Sequence, residues 1–129
     1  MTVKVRRVLI IDDEEDIREV VELTLQTIGG WQVMTAASGI EGLAIAQTQK
    51  PDAILLDMMM PDLDGLGTLA ILRATQETQD IPVILITAKE KNLDRNRLRV
   101  LGLTAIIAKP FDPMNLAKEV ANYLGWVYI

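Results

Sequence analysis

Two residue types that carry much of enzyme chemistry are missing from this 129-residue chain, which has no cysteine and no histidine. The lack of cysteine excludes disulfides, thiolate nucleophiles and cysteine metal ligands. The lack of histidine removes imidazole bases, histidine-based catalytic triads and most zinc sites. Carboxylates, hydroxyls and lysines are therefore left to carry any chemistry, and such oxygen ligands favour a hard cation such as Mg²⁺.

Long apolar runs are also missing, although 50% of the residues are hydrophobic. Runs such as Ala53 to Leu56 and Val83 to Ile86 are far shorter than the ~20 residues that a membrane span needs. The first residues lead directly into a strand-like segment, without the apolar stretch and cleavage site of a signal peptide. We therefore expect a cytoplasmic protein with no membrane segment.

A basic excess is lacking as well, because the formal net charge is −5. Proteins that bind nucleic acid usually carry a strong positive excess, so direct nucleic-acid binding is not expected. The length suits one hydrophobic core, and the sequence shows no repeat or linker. We expect residues 1–129 to form one domain with no output domain attached.

Short apolar strands alternate with amphipathic helices along the chain. Signals for helix ends lie between the strands, including a capping box from Ser38 to Glu41 and a helix start at Asp112-Pro113. The fourth helix is predicted around Asn92 to Leu101. Five strands alternating with five helices predict an open α/β domain with a parallel sheet and right-handed crossovers. The predicted strands are Arg7 to Ile11, Trp31 to Thr35, Ala53 to Leu56, Val83 to Ile86 and Ala105 to Ala108.

Polar side chains follow four of these strands at the point where each one ends: Asp12 and Asp13, Asp57, Thr87, and Lys109. Parallel strands end at a common edge, and such folds bind ligands there, where the strand order reverses. In the order 2-1-3-4-5 the first and third strands are neighbours, so Asp12, Asp13 and Asp57 crowd together. That crowding needs a compensating cation, and Mg²⁺ suits carboxylate ligands.

Each of these residues alone has an ordinary structural explanation. An acidic pair favours the first turn of a helix, a threonine can cap the next helix, and Lys109 can be a surface lysine. The combination of four strand ends on one edge is what favours a functional site.

Four segments of the sequence carry a joint signal: Leu9 to Glu14, Leu55 to Asp57 with Met60 to Gly65, Ile86 to Ala88, and Lys109 to Phe111. Together they resemble the receiver domains of two-component response regulators. This resemblance implies a flavodoxin-like (βα)5 doubly wound parallel sheet with strand order 2-1-3-4-5. It also implies a signalling domain that catalyses only its own phosphorylation and dephosphorylation.

The resemblance also implies a role for each residue of the site. Asp57 is the phosphoacceptor, Thr87 binds the phosphoryl oxygens, and Lys109 pairs with the phosphate and precedes a cis Lys109-Pro110 bond. The implied ligands of Mg²⁺ or Mn²⁺ are Asp12, Asp13, Asp57 and the backbone carbonyl of Met59.

Partners follow from the same resemblance. The phosphodonor is a histidine kinase or phosphotransfer protein, and a downstream protein partner uses the surface of the fourth helix, fifth strand and fifth helix. The basic side chains of the fourth helix region fit an acidic partner or form a solvated charged face. They are Lys89, Lys91, Arg95, Arg97 and Arg99. The apolar tail from Trp126 to Ile129 either packs on its own domain or forms a partner or homodimer surface.

Three positions depart from the family pattern. Ile106 stands where receivers often carry an aromatic switch residue, while Met59 and Lys89 flank the site and are expected to tune the lifetime of the phosphoryl group.

Two alternatives remain at this stage. One is a pseudo-receiver that binds partners without phosphorylation. The other is a magnesium-dependent phosphatase of the haloacid-dehalogenase type, whose D-x-D-G motif resembles Asp62 to Gly65. That motif needs its first aspartate directly at the strand end, which Asp57 holds here.

Overall fold

Each strand of the sheet is followed by a helix in the computed structural model, which describes residues 5–88 and 93–127. The bounds are β1 (Arg7–Ile11), α1 (Glu15–Thr27), β2 (Gln32–Ala36), α2 (Gly39–Gln49), β3 (Ala53–Asp57), α3 (Gly65–Ala74), β4 (Val83–Thr87), α4 (Arg95–Val100), β5 (Ala105–Ala108) and α5 (Pro113–Leu124).

The five strands are parallel and lie in the order β2-β1-β3-β4-β5, which confirms the predicted fold and topology. β1 lies between two neighbours, because its Ile11 pairs with Ala36 of β2 and with Leu56 of β3. The chain extends to one side of β1 through β2 and to the other through β3, so the strand order reverses beside β1. A ligand cleft is expected at that reversal, outside the carboxyl ends of the strands.

Alternate residues of the buried strands supply two separate cores. Val8 and Ile10 face the helices α1 and α5, while Leu9 and Ile11 face the side of α2, α3 and α4. Successive strand side chains point to opposite faces, so a sheet covered on both sides reads as a continuous apolar run. The uninterrupted hydrophobicity of these strands therefore follows from their position between two helical layers.

Side-chain caps fix where several helices begin. The predicted capping signal at Ser38 is confirmed, because its hydroxyl accepts from the Glu41 N–H at 3.1 Å. The fourth helix is shorter than predicted: Asp94 caps it by accepting from the Arg97 N–H at 3.0 Å, so it begins at Arg95. Asn92, where that helix was predicted to start, lies outside the described residues.

The start of the C-terminal tail packs against its own domain. The Trp126 ring meets Trp31 edge-on at 5.1 Å between centroids, and the Arg6 guanidinium lies 4.8 Å from the Trp126 ring centre. Val127 is 85% exposed. For Trp126 the intramolecular alternative therefore holds, while Tyr128 and Ile129 lie outside the described residues. Among the described residues, no helix is both long and apolar enough to cross a membrane.

Candidate functional site

The carboxyl ends of β1 and β3 bring two aspartates side by side. Ile11 pairs with Leu56, so the residues that follow them, Asp12 and Asp57, emerge together at the edge of the sheet. Asp12 is completely buried and Asp57 is 3% exposed. Carboxylate oxygens from Asp12, Asp13, Glu14 and Asp57 all lie within 4.8 Å of one another. The structure thus assembles the predicted acidic cluster and adds Glu14 to it.

The ammonium group of Lys109 lies inside this cluster. Its Nζ is 2.9 Å from Asp12 Oδ2, 3.3 Å from Asp57 Oδ1 and 3.7 Å from Glu14 Oε1. The backbone N–H of Lys109 donates to the Thr87 carbonyl at 2.9 Å, which joins the ends of β4 and β5. The Lys109-Pro110 peptide bond is cis, as the sequence resemblance predicted.

Three hydrogen bonds fix the position of Asp12. The Asp12 N–H donates to the Ala36 carbonyl at 3.1 Å, and the Arg18 guanidinium donates to the Asp12 carbonyl at 2.7 Å. The Glu14 N–H donates to Asp12 Oδ1 at 2.8 Å. This last bond folds the loop after β1 back on itself, and it explains why Glu14 reaches the cluster.

Burial controls the acidity of Asp57. The pKa of this carboxyl is raised to about 6: burial raises it most and the charge of Asp12 raises it as well, while Lys109 and the Met59 N–H act in the opposite direction. A bound cation would lower this pKa, because a nearby positive charge favours the charged form of the carboxyl.

Burial also affects the pKa of Lys109, but the interactions with the neighbouring carboxylates together outweigh it. Desolvation lowers the pKa of the ammonium, whereas the hydrogen bond and charge of Asp12 and the charge of Asp57 raise it, and the net shift is upward. Lys109 therefore stays protonated across the physiological range and supplies a fixed positive charge.

The remaining predicted residues lie at the same edge. Thr87 is fully buried at the end of β4. Met59 follows Asp57 by two residues, its backbone N–H is bonded to the Asp57 carboxyl, and its side chain is 53% exposed. Lys89 lies outside the described residues. Glu14 is not among the metal ligands that the sequence predicts, although its position directly after Asp12-Asp13 is a signal for it.

The donor set fits a small divalent cation. It consists of oxygen atoms only, and four carboxylates surround a single ammonium among the described residues. Mg²⁺ and Mn²⁺ prefer such ligands, and the cation would offset the like-charge repulsion between Asp12 and Asp57.

Comparison with known proteins agrees with this geometry. The family model of the response regulator receiver domain matches residues 8–121. The chain is 39% identical over 124 residues to the probable transcriptional regulator ycf27 of Cyanophora paradoxa, covering 96% of this chain and 50% of that protein. It is 36% identical over 119 residues to the alkaline phosphatase synthesis transcriptional regulatory protein PhoP of Bacillus subtilis, covering 92% and 48%. The chain spans about half the length of these curated relatives.

Solved structures show the same fold. The chemotaxis protein CheY4 of Vibrio cholerae matches with a TM-score of 0.86 and 32% identity, covering 93% of this chain and 99% of that one. The receiver domain of the sensor histidine kinase PA1611 of Pseudomonas aeruginosa, which holds a magnesium ion in its active-site cleft, matches with a TM-score of 0.82 and 30% identity, covering 95% and 99%. The chain therefore belongs to the response regulator receiver family, a family of signalling domains.

Proposed function

We propose that this receiver domain accepts a phosphoryl group on Asp57 from the phosphohistidine of a histidine kinase or phosphotransfer protein. The observation that carries the proposal is the placement of a nearly buried Asp57 carboxylate 3.3 Å from the Lys109 ammonium, within a cluster of four acidic side chains. We further propose that Asp12, Asp13, Asp57 and the Met59 carbonyl hold Mg²⁺ or Mn²⁺.

Asp57 is suited to act as the nucleophile. With a pKa of about 6 it is mostly ionised at neutral pH. Its oxygen forms a bond to phosphorus while the bond from phosphorus to the histidine nitrogen breaks, and the imidazole leaves with that electron pair. A bound cation supplies charge neutralisation on the phosphoryl oxygens.

Lys109 and Thr87 serve the phosphorylated state. The Lys109 ammonium is already within reach of Asp57 and can pair with a phosphoryl oxygen. The Thr87 hydroxyl is the proposed second donor. Phosphorylation brings nearly two extra negative charges to the site. Because the Lys109 N–H is bonded to the Thr87 carbonyl, a shift of either residue toward the phosphoryl group would move the ends of both β4 and β5.

The proposed output surface is the face formed by α4, β5 and α5. A cleft of about 440 Å³ lies there, lined by basic and apolar side chains that include Arg95, Arg99, Ile106 and Tyr123. Such a lining fits a cytoplasmic protein partner with acidic and apolar groups, or a second copy of the domain. Ile106 contributes apolar contact at this face without an aromatic ring.

Incubation with Mg²⁺ and acetyl phosphate, followed by mass spectrometry, tests the phosphoacceptor. We expect a stable adduct on Asp57 that is lost in Asp57→Asn, because an amide retains the shape but is not a usable nucleophile. Asp62→Asn is the matched control, since Asp62 lies in the following loop and begins the phosphatase-like motif; its labelling should be unchanged.

Three other outcomes would overturn the proposal. Labelling that persists in Asp57→Asn places the phosphoryl group elsewhere. Rapid release of inorganic phosphate that depends on Asp62 indicates a phosphatase. Absence of any reaction indicates a pseudo-receiver.

Calorimetric titration with Mg²⁺ tests the metal ligands. Asp13→Asn should weaken binding, because it removes a charged ligand from a site with few protein contacts. Asp16→Asn is the control: Asp16 is an exposed acidic residue in the first turn of α1, outside the cluster. Equal affinity in wild type and Asp13→Asn would contradict the assignment.

A further inference from the structure

The end of β3 and the loop that follows it approach the first residue of α3, Gly65, very closely. The Gly65 N–H donates to the Met58 carbonyl at 2.9 Å. The Met59 N–H, one residue further, is bonded to the Asp57 carboxyl. A continuous set of contacts thus joins the start of the helix to the site.

A side chain at Gly65 has no space. A Cβ atom there would lie 2.5 Å from the Asp57 carbonyl oxygen and 2.7 Å from Met58 Cα. Both neighbours are backbone atoms, which cannot rotate away as the end of a side chain can. The constraint is one of space, since Gly65 is not among the glycines with positive φ.

α3 is anchored in the core, so it cannot easily retreat. Its first turn is closed by Asp64, whose carboxylate accepts from the Gly67 N–H and whose carbonyl accepts from the Thr68 hydroxyl, both at 2.8 Å. Leu69 and Leu72 are completely buried in the core beneath. Relief of a clash at Gly65 therefore falls on the Asp57-Met58 backbone rather than on the helix.

We propose that Gly65 is a positioning residue for the phosphorylation site, because its missing side chain lets α3 fix the Met59 backbone relative to the Asp57 carboxylate. The inference rests on the function proposed above, in which the Met59 carbonyl is a metal ligand. Gly65 itself touches neither the metal nor the phosphoryl group. Its effect passes through the backbone of residues 57–59.

The test compares Gly65→Ala with Gly67→Ala. Gly67 lies in the same helical turn, but a Cβ there would meet the flexible end of Leu63, 2.8 Å away at Cδ1. Both substitutions give α3 the same gain in helix propensity. We expect Gly65→Ala to weaken Mg²⁺ binding by about tenfold or more, in the range found when supporting contacts of metal ligands are lost, and Gly67→Ala to leave it unchanged.

Fluorescence of Trp31 and Trp126 provides a separate measure of folding, because this pair lies at the far end of the sheet. A purely structural role for Gly65 would lower the unfolding midpoint of Gly65→Ala and leave its Mg²⁺ affinity unchanged, which would overturn the proposal. If Gly65→Ala does not fold, the amide NMR spectrum of the wild-type protein tests the role of Gly65 instead. Added Mg²⁺ should then shift the Gly65 amide more than the Gly67 amide, and equal or absent shifts at Gly65 would refute the inference.

The wild-type titration separates the two proposals. If wild type binds Mg²⁺ and both glycine variants match it, only the role of Gly65 fails. If wild type itself binds no Mg²⁺, the proposed function fails and the role of Gly65 fails with it.

Discussion

At the amino end of the sheet, the Arg73 guanidinium donates to the carbonyls of Leu101 at 2.7 Å and Ile81 at 2.8 Å, with longer bonds to Gln79 and Gly102. At the carboxyl end, the Lys109 ammonium faces the carboxylates of Asp12, Asp57 and Glu14. Both cations are partly buried, and the Lys109 side chain is only 11% exposed, but their partners differ. Arg73 donates to neutral backbone carbonyls with the charge of Asp80 nearby, whereas Lys109 meets an excess of negative charge.

The aromatic contacts sharpen the difference between the two ends. Trp31, Trp126 and Arg6 pack together at the amino end, where an aromatic pair and a cation over a ring both favour the folded state. Among the described residues, the carboxyl end has no such pair, and its Asp57 carries a raised pKa. One end of the sheet thus stabilises the fold, while the other holds like charges together at a cost in stability. Such a cost is typical of sites that bind a cation.

Arg73→Met removes the hydrogen bonds that Arg73 makes at the amino end, and it should cause the largest loss of stability of the substitutions considered. Burial lowers the pKa of Arg73 and the charge of Asp80 opposes this, yet an arginine remains charged. Removing its donors takes a charged hydrogen bond from each of two part-buried carbonyls, those of Leu101 and Ile81, which costs about 3 kcal/mol of unfolding free energy. Urea unfolding followed by tryptophan fluorescence measures the loss.

Arg73→Lys is the control for this change, because it retains the charge with fewer and less rigid donors, and its loss should be intermediate. Phosphorylation of Asp57 by acetyl phosphate should stay within about twofold of wild type in both variants. A large fall in labelling of the folded protein would show that the two ends are coupled, contrary to the comparison.

Asp57→Asn removes a buried negative charge from the carboxyl end, so it should stabilise the domain in the absence of metal. The pKa of Asp57 is raised from 3.8 to about 6 on folding, so the folded state binds this proton more tightly than the unfolded state. Stability from this group is therefore present at low pH and is lost as pH rises through about 4 to about 6. At about pH 7.5 the asparagine variant should be more stable by about 2 kcal/mol.

Urea unfolding of both proteins in a chelating buffer between about pH 4 and about pH 7.5 measures this difference, which should be much smaller at the acid end. Saturating Mg²⁺ should reverse its sign, because the wild-type carboxylate then gains a cation that the amide binds poorly. An asparagine variant that is less stable than wild type at neutral pH without metal would show that Asp57 is not held at a cost.

The sequence predicts the contacts at the carboxyl end of the sheet better than those at the amino end. Asp12, Asp57 and Lys109 directly follow apolar strands, so the order of a parallel sheet alone brings them together. Arg73 contacts Leu101 across 28 residues, and nothing in the local pattern marks that pair. Glu14 reaches the cluster through a bond between its N–H and Asp12, a detail of loop geometry.

The loop after β3 shows the same limit. The segment from Asp62 to Gly65 resembles a phosphatase motif in sequence, yet the proposed role of Gly65 depends on the space beside the Asp57 backbone. Periodicity predicts which residues share a face, but it does not predict how closely two backbones approach.

The smallest expected effect concerns how long the carboxyl end keeps a phosphoryl group, which depends on water reaching phosphorus opposite the bond to Asp57. Met59, whose backbone N–H is bonded to that carboxyl, is 53% exposed, and a thioether is a very weak hydrogen-bond acceptor. We expect the Met59 side chain to screen the group without orienting an attacking water, so autodephosphorylation should be slow. Met59→Asn should speed the decay of phosphorylated Asp57 by about fivefold, equivalent to ~1 kcal/mol of barrier.

Met59→Leu is the matched control for this prediction, because it retains an apolar side chain of similar size and should decay at the wild-type rate. The loss of phosphate is followed by mass spectrometry after the phosphodonor is removed. Equal decay in the asparagine and leucine variants would show that the side chain at this position does not control water access. Faster decay in both would show instead that the thioether itself protects the phosphoryl group, by a contact that leucine does not reproduce.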